Sequence, residues 1–555
     1  MPSYELVSLK LPKLTGTALS VFANAVENPM GRAALLNSLL ENGGIPKLRR
    51  INLEEAPTFY PFGTSEQSGI EAKTVEVSLS GDAPLPYNRC LNFFQAYQHG
   101  QITVEQVAEQ VLEQIVQSDQ GNTPMRAFVA VNRNDVMTQA NASTKRYAAG
   151  NPLSSLDGVP VAIKDEVDLL PYPTTVGTSF LGKQPAQQDS TVAARLRAAG
   201  ALLVGKTNMH EIGIAPNGMN THHGTVRNPY HSQCDTGGSS SGSGAAVAAG
   251  LVPAAIGADG GGSIRVPAAL CGVVGLKPTF GRVSEFGAAP LCWSVAHLGP
   301  LAASVSDAAL IYSVIAGPDD KDPNTLKQPP VSIKDWNKPD LEGVRLGIYP
   351  AWNEHAHPEV VFVYRNMLAQ LVKRGAEVVE IEIPELDEMR IAHAITILAE
   401  MAMCMRAYRA QRKEMAAAVR LSLVLGEAFT ALDYIQAQRV RTRAMAAFSR
   451  IYRDVDVILS PATALAAQAF PAANPTDGWS DLGTDVEMMR YVFPGNLAGL
   501  PGISFPGGYD GRGLPVGVHA MANHWREDLL LRVAFNAEQV MERKLPQVYL
   551  PVKLG

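Results

Sequence analysis

The order of apolar and polar residues predicts an alternation of helices and buried strands from about residue 100 onward. Residues 104–116 repeat apolar side chains at helical spacing, whereas residues 159–163 form a short continuous apolar run that is typical of a buried strand. The same patterns predict helices at 190–199 and 240–250 and strands at 201–204, 254–258, 344–349, 378–383, 455–459 and 503–505. This alternation predicts the α/β class, with a mostly parallel, mixed and twisted sheet covered by helices.

Two segments depart from this alternation. Residues 1–85 contain a helical pattern over 17–40, interrupted near Pro29, and then a Pro-containing extended stretch. We expect this arm to pack on or cap a main body spanning residues 86–555, in which residues 387–450 form a helical, Met-rich insertion. Met side chains fill cores and also line adaptable apolar pockets, and the sequence leaves both roles open.

Composition narrows the classes of partner. The chain has 555 residues, 46% of them hydrophobic, and a net charge of -6, which favours a globular protein with a large core and disfavours a nucleic-acid partner. Its five cysteines are widely spaced without a C-x-x-C pair, so we expect neither a disulfide framework nor a cysteine zinc site. The start of the chain lacks the apolar core of a secretory signal, and we expect a cytoplasmic protein.

The stretch GALLVGKT at 200–207 matches the letters of a phosphate-binding P-loop, but its context does not fit. A P-loop follows a strand and opens a helix at its Lys. Here the preceding residues predict a helix, and Leu202, Leu203 and Val204 predict a buried strand. We therefore interpret this stretch as part of an α-then-β unit of the sheet.

The most informative segment is residues 235–279, where two Gly/Ser clusters flank a small-residue helix and a strand. Three glycines precede Ser263, and such a run can aim backbone N–H groups at the charge that develops in acyl transfer, although a plain glycine-rich turn explains it equally well. Residues 238–242 also fit the G-x-S-x-G pattern, which would make Ser240 the nucleophile with His519 or His524 as its base. The loop-like residues before Ser240 disfavour this alternative, because that elbow follows a strand.

The whole segment resembles the amidase signature family, whose motif is close to GGSSGG…GTDxGGSIRxPAxxxGxxGLKPT. Further similar blocks are LDGVPVAIKD at 156–165, GKTNMHE at 205–211, GTVRNP at 224–229, DVILSPAT at 456–463 and NLAGLP at 496–501. The resemblance covers roughly residues 100–545. GGSSSGS at 237–243, DGGGSIR at 259–265 and LTG at 14–16 are similar to the plant-type fatty acid amide hydrolase branch.

The resemblance implies a Ser-Ser-Lys triad made of Lys164, Ser239 and Ser263. Ser263 would be the nucleophile, and Ser239 would pass protons between Ser263, Lys164 and the leaving amine. A serine hydroxyl needs such a base, and a lysine can serve as that base only when burial beside apolar strand residues lowers its pKa. The implied oxyanion donors are the N–H groups of Gly260, Gly261, Gly262 and Ser263, and the implied supporting pair is Asp259 with Arg265.

No metal or organic cofactor is implied, and the adjacent His222 and His223 favour a loop rather than a metal site. One position departs from the family motif, because Ala258 stands where a threonine is usual. This change puts the hydrogen bonding behind the glycine loop in doubt.

The resemblance implies an enzyme that hydrolyses the C–N bond of N-acyl amides, with N-acylethanolamines or other fatty amides as candidate substrates. The alternatives are an amidase for short, aryl or peptide amides, an amidotransferase A-type subunit, and an inactive binding protein on the same scaffold. The expected partner is a small-molecule amide. Peripheral membrane contact through the arm and a homodimer stay open, although the arm lacks the Lys/Arg-rich polar face of interfacial helices.

Overall fold

The computed structural model describes residues 4–6, 8–9, 13–63, 85–471 and 478–555. Its strands are β1 (Leu14–Thr15), β2 (Phe128–Ala130), β3 (Pro160–Lys164), β4 (Leu202–Thr207), β5 (Arg227–Asn228), β6 (His231–Asp235), β7 (Ala254–Ala258), β8 (Val274–Lys277), β9 (Leu298–Ala302), β10 (Arg345–Ile348), β11 (Glu377–Glu380), β12 (Val457–Pro461), β13 (Trp479–Ser480), β14 (Gly502–Tyr509) and β15 (Pro515–Ala522).

The helices of the first half are α1 (Gly16–Glu27), α2 (Pro29–Asn42), α3 (Ile45–Arg50), α4 (Cys90–Gln98), α5 (Val104–Ser118), α6 (Arg133–Ala148), α7 (Thr191–Ala198), α8 (Ser241–Ala248) and α9 (Arg265–Cys271). Those of the second half are α10 (Val305–Ile315), α11 (Pro350–Asn353), α12 (Pro358–Lys373), α13 (Leu386–Cys404), α14 (Ala417–Ala428), α15 (Ala431–Ile451), α16 (Leu482–Met489), α17 (Phe493–Leu497) and α18 (Glu527–Glu538). Short 3-10 segments occupy Glu211–Gly213, Pro323–Thr325 and Met405–Glu414.

An 11-stranded sheet organises the chain, in the order β11-β10-β12-β15-β14-β8-β9-β7-β3-β4-β2. The predicted α/β class and the mixed, twisted sheet covered by helices are confirmed. The parallel share is smaller than predicted, because four of the strand pairings described in this 11-stranded sheet are parallel and six are antiparallel.

The correction has a simple origin. Each antiparallel pairing involves β2, β8, β9 or β15, which the apolar pattern did not single out. Strands β8 (VGLK) and β9 (LGPLA) are interrupted by Gly or Pro, so they lack a clear apolar run. β15 follows β14 through a tight turn in which the Gly513 N–H donates to Asp510 O, and such a turn joins antiparallel neighbours.

The interpretation of GALLVGKT is confirmed. Helix α7 precedes this stretch, and Lys206 and Thr207 lie within strand β4 rather than at a helix start. Lys206 is buried and its Nζ lies 3.5 Å from Asp165 Oδ1, so its charge is neutralised by the protein. These residues therefore build the sheet and not a phosphate site.

The helices α1, α2 and α3 of the N-terminal segment lie against the helices α13, α14 and α15. Val26 of α1 packs on Leu421 and Val424 of α14, and an Arg49–Asp433 ion pair of 2.8 Å joins α3 to α15. The extended stretch expected up to residue 85 falls largely outside the described residues, and the division into an arm and a body stays a prediction. Within the described residues, no helix is both long and apolar enough to cross a membrane.

Candidate active site

The sheet brings the predicted catalytic residues to one edge. β3 and β7 are parallel neighbours paired through Ile163 and Ile256, so the ends of both strands, at Lys164 and Ala258, lie side by side. The Gly/Ser turn between β6 and α8 carries Ser239, and the turn between β7 and α9 carries Ser263. Ligands of open α/β sheets commonly bind beyond the carboxyl ends of parallel strands, which is where these residues meet.

Lys164, Ser239 and Ser263 line one cavity of about 350 Å³. Lys164 Nζ donates a hydrogen bond to Ser239 Oγ at 2.8 Å and another to the carbonyl of Ala258 at 3.3 Å. The two serine segments are tied together, because the Ser240 N–H donates to Ser263 O at 3.2 Å. Lys164 is fully buried, whereas Ser263 keeps 9% of its surface exposed. The most accessible of the three is therefore the predicted nucleophile.

Glu166 is a fourth residue of this group, and the sequence patterns did not identify it. Its Oε2 lies 2.9 Å from Lys164 Nζ, and its carboxylate lines the same cavity. A buried ammonium requires a charged partner or hydrogen-bond acceptors, because an isolated buried charge is costly. A carboxylate two positions after a lysine expected to be buried was the available signal.

The glycine loop is held from behind by a buried ion pair. Asp259 Oδ1 accepts the Gly262 N–H at 2.7 Å, and Asp259 Oδ2 accepts the Ile264 N–H at 3.1 Å and Arg265 Nε at 3.0 Å. Asp259 and Arg265 are both fully buried. Burial alone would raise the pKa of Asp259, but the adjacent Arg265 charge and hydrogen bonds hold it well below its ordinary value.

The Gly262 N–H is therefore committed to Asp259, which differs from the expectation that all four loop N–H groups face a substrate. A backbone N–H is a single donor, and here it anchors the loop. Within the described part of the chain, the N–H groups of Gly260, Gly261 and Ser263 have no protein acceptor. Gly260 and Ser263 line the cavity, so their donors can serve a developing oxyanion.

Arg265 uses all five of its N–H donors inside the protein. Besides Asp259, its guanidinium donates to Asn496 Oδ1 at 2.6 Å, to Val492 O at 2.9 Å and to His519 Nε2 at 3.2 Å. His519 accepts here, and burial together with the Arg265 charge lowers its pKa well below the ordinary range. The loop is thus fixed by residues that lie more than 200 positions away in the sequence.

The alternative nucleophile Ser240 is not supported. Ser240 Oγ donates to Ala258 O and accepts the Ala258 N–H, both at 3.2 Å. Neither proposed base contacts it: His519 faces Arg265, and His524 Nε2 bonds the carbonyl of Ala498 at 3.0 Å. The Ser240 hydroxyl bonds the backbone of Ala258, and nothing in the structure explains why alanine stands at this position.

A second, larger cavity of about 1120 Å³ adjoins the first, and Ile397 lines both. Its wall combines apolar residues from the first 50 positions with residues of α13, α14 and α16, among them Leu39, Leu40, Ile45, Ala394, Leu425 and Met489. His393 lies at the junction, where its Nε2 hydrogen-bonds Gly260 O at 2.8 Å. The apolar cavity therefore borders residues that contact the glycine loop.

No metal centre emerges from the described residues, because no group of three His, Cys, Asp or Glu side chains is placed to share an ion. His222 Nε2 contacts Glu211 Oε1 at 2.9 Å, and Glu211 Oε2 accepts the N–H of Ala416. The histidine pair thus belongs to a contact between a loop and the segment before α14.

The amidase family model matches residues 109–531. A fatty acid amide hydrolase from Oryza sativa subsp. japonica is 38% identical, and the match covers 98% of this chain and 96% of that relative. A glutamyl-tRNA(Gln) amidotransferase subunit from a Cyanothece species is 35% identical over 79% of this chain and 94% of that relative. The structure of a peptide amidase from Stenotrophomonas maltophilia superposes with a TM-score of 0.70 at 28% identity, covering 83% of this chain and 99% of that one.

Proposed function

Because this chain belongs to the amidase family and is an amide hydrolase, we propose that it cleaves long-chain N-acyl amides, N-acylethanolamines among them, through an acyl-enzyme on Ser263. The observation that carries this proposal is the apolar cavity of about 1120 Å³ that shares Ile397 with the catalytic cavity. Apolar pockets with few polar groups favour apolar ligands, and burial of each CH₂ group contributes about 0.8 kcal/mol.

In the proposed mechanism, Ser263 Oγ attacks the amide carbonyl while Ser239 takes the Ser263 proton. Neutral Lys164 accepts the proton of Ser239 in the same step. The negative charge on the carbonyl oxygen is stabilised by the N–H groups of Gly260, Gly261 and Ser263. Ser239 then passes a proton to the leaving nitrogen, the C–N bond breaks, and the amine departs. Water attacks the resulting ester and releases the carboxylic acid and Ser263.

The first 50 residues favour a fatty substrate over the amidotransferase alternative. Leu39, Leu40 and Ile45 supply part of the large cavity's wall. The match to the rice fatty acid amide hydrolase covers 98% of this chain, whereas the match to the amidotransferase relative covers 79%. The apolar wall and the near full-length match therefore support the same proposal.

The test is a panel of amides: acetamide, an anilide, a peptide amide and N-acylethanolamines of rising chain length. We expect kcat/KM to rise about fourfold for each added CH₂ until the cavity is filled, from about 0.8 kcal/mol per buried CH₂. Ser263→Ala should abolish turnover of every substrate. Ser240→Ala is the matched control, and it should retain turnover because its hydroxyl bonds only the backbone of Ala258.

A cavity variant separates the substrate from the chemistry. Ala394→Phe adds a ring to the wall of the large cavity without touching the catalytic group. It should lower kcat/KM for the longest chains at least tenfold and leave the shortest substrates unchanged. Activity confined to short, aryl or peptide amides would refute the fatty-amide proposal, and turnover by Ser263→Ala would refute the nucleophile.

A further inference from the structure

Three oxygen atoms surround the amino group of Lys164. They are Ser239 Oγ at 2.8 Å, Glu166 Oε2 at 2.9 Å and Ala258 O at 3.3 Å. The first and the last accept hydrogen bonds from Lys164, and Glu166 is its ion-pair partner. A protonated lysine uses its three N–H donors on such oxygens. In that state it has no lone pair, and it cannot accept a proton from Ser239.

The same set orients the neutral amine. Once one proton is lost, two N–H donors and one lone pair remain on Nζ. If Glu166 and the Ala258 carbonyl take the two N–H groups, the lone pair occupies the third tetrahedral position, which faces Ser239 Oγ. This is the direction that proton transfer from Ser239 requires.

Glu166 is not explained by an architectural role of its carboxylate. Its backbone carbonyl accepts the Ala289 N–H at 2.8 Å, but within the described residues its side-chain oxygens have Lys164 as their charged partner. The carboxylate lies in the catalytic cavity with 9% of the side chain exposed. Its placement therefore serves Lys164.

We propose that Glu166 is a positioning residue: it holds the Lys164 amine beside Ser239 Oγ, and its charge and its oxygen contribute separately to this role. The inference rests on the proposed role of Lys164 as the base for Ser239 and Ser263. A carboxylate at 2.9 Å favours the ammonium form, whereas its oxygen favours the productive orientation of the neutral amine. Substitutions of Glu166 can therefore separate the effect of its charge from its effect on the orientation of the Lys164 amine.

The other titratable groups that face this pair do not replace Glu166. Burial lowers the pKa of His210 to about 4 and raises the pKa of the Cys292 thiol, so both are uncharged near neutral pH. Burial also raises the pKa of Glu285 well above its ordinary value, which favours its neutral form. The remaining charged neighbours are already paired, namely Lys206 with Asp165 and Asp259 with Arg265. Among the described residues, Glu166 is the carboxylate in contact with Lys164.

The test compares Glu166→Gln, Glu166→Leu and the unmodified full-length protein by the pH profile of kcat/KM for one amide. A glutamine keeps an oxygen that can accept from Lys164 but removes the charge. We expect its acid limb to move to lower pH by about 1–3 units, as removal of a charge at contact distance does, while its plateau stays within a few fold. A leucine removes the acceptor as well, and its plateau should fall at least tenfold.

Asp168→Asn is the matched control, because Asp168 is a carboxylate on the same loop that bonds Thr174 Oγ1 rather than Lys164. Its pH profile should be that of the unmodified protein. The rate at which a fluorophosphonate labels Ser263, measured over the same pH range, gives a second readout that needs no amide substrate. It should show the same shift for Glu166→Gln.

An acid limb for Glu166→Gln that stays in place or moves to higher pH would overturn the inference. If Glu166→Leu does not fold, the direction in which the acid limb of the pH profile moves in Glu166→Gln still tests the inference. Failure of the proposed function is distinguishable: it would appear as turnover by Ser263→Ala or as no labelling of Ser263 in the unmodified protein. An unchanged Glu166→Gln profile with an inactive Ser263→Ala would overturn this inference alone.

Discussion

Replacing Asp259 by Asn should lower both the stability of the protein and its catalytic rate. The carboxylate is fully buried and accepts hydrogen bonds from Gly262, Ile264, Arg265 and Asn496. An asparagine of the same shape offers one oxygen and places an NH₂ donor where donors already converge. It also leaves the Arg265 guanidinium buried without a compensating charge.

The magnitude follows from this geometry. Removing one partner of a buried ion pair costs about 3–5 kcal/mol, and the further donors left without an acceptor place Asp259→Asn at the upper end. Loss of the Gly262 anchor should also displace the neighbouring oxyanion donors. Since removal of one such donor lowers kcat about 10²–10³-fold, we expect at least a loss of about 100-fold.

The effect should depend on pH with a defined sign. Because the pKa of Asp259 lies well below its ordinary value in the folded protein, the carboxylate stabilises the fold above the ordinary aspartate pKa. That contribution is lost as the pH falls toward the folded pKa. The difference in unfolding free energy between the unmodified protein and Asp259→Asn should therefore shrink in acid.

The assay is chemical denaturation together with kcat per labelled active site. Asp157→Asn is the matched control, because Asp157 is a fully buried carboxylate paired with Arg146 at 2.6 Å in another part of the fold. It should lose stability yet keep its kcat. A destabilisation below about 1 kcal/mol for Asp259→Asn, or a kcat within about tenfold of normal, would refute the anchoring role assigned to this pair.

Two further substitutions test the walls of the site. Burial raises the pKa of Asp485 to about 7 from 3.8, so between these pH values the folded state binds a proton that the unfolded chain lacks, and stability falls as pH rises. Asp485→Asn should therefore raise the free energy of unfolding by about 2–3 kcal/mol more at pH 8 than at pH 5, as measured by denaturant titration. An equal increase at both pH values would contradict this. Gly261→Ala would place a Cβ 2.9 Å from His393 Cε1, and such overpacking costs about 1–3 kcal/mol of stability. We also expect kcat to drop about tenfold or more as the loop shifts, and a normal kcat would show that the loop tolerates the contact.

The sequence patterns that became reliable predictions are those with local causes. Strands β3, β4 and β7 are buried on both faces, so their continuous apolar runs could be identified without knowledge of their neighbours. The break at Pro29 separates α1 from α2 because proline fits the first turn of a helix and not its interior. The glycine and serine clusters marked the turns that carry Ser239 and Ser263.

What the sequence did not show depends on distant residues. The partners of Arg265 are Val492, Asn496 and His519, and no local pattern connects them to the glycine loop. The commitment of the Gly262 N–H to Asp259 is a matter of loop geometry, which spacing alone does not specify. The large cavity likewise forms only where the first 50 residues meet α13, α14 and α16.

The features that local sequence patterns predict and those that depend on distant residues lie in two different parts of the molecule. The groups proposed to do the chemistry lie on the strand ends and turns of the sheet, where Lys164 and Ala258 are fixed by adjacent parallel strands. The groups proposed to choose the acyl chain lie on helices outside the sheet, and Ile397 is where the two cavities meet. Substitutions along the large cavity should therefore change which amide is cleaved while leaving the acyl-transfer chemistry intact, as Ala394→Phe is designed to reveal.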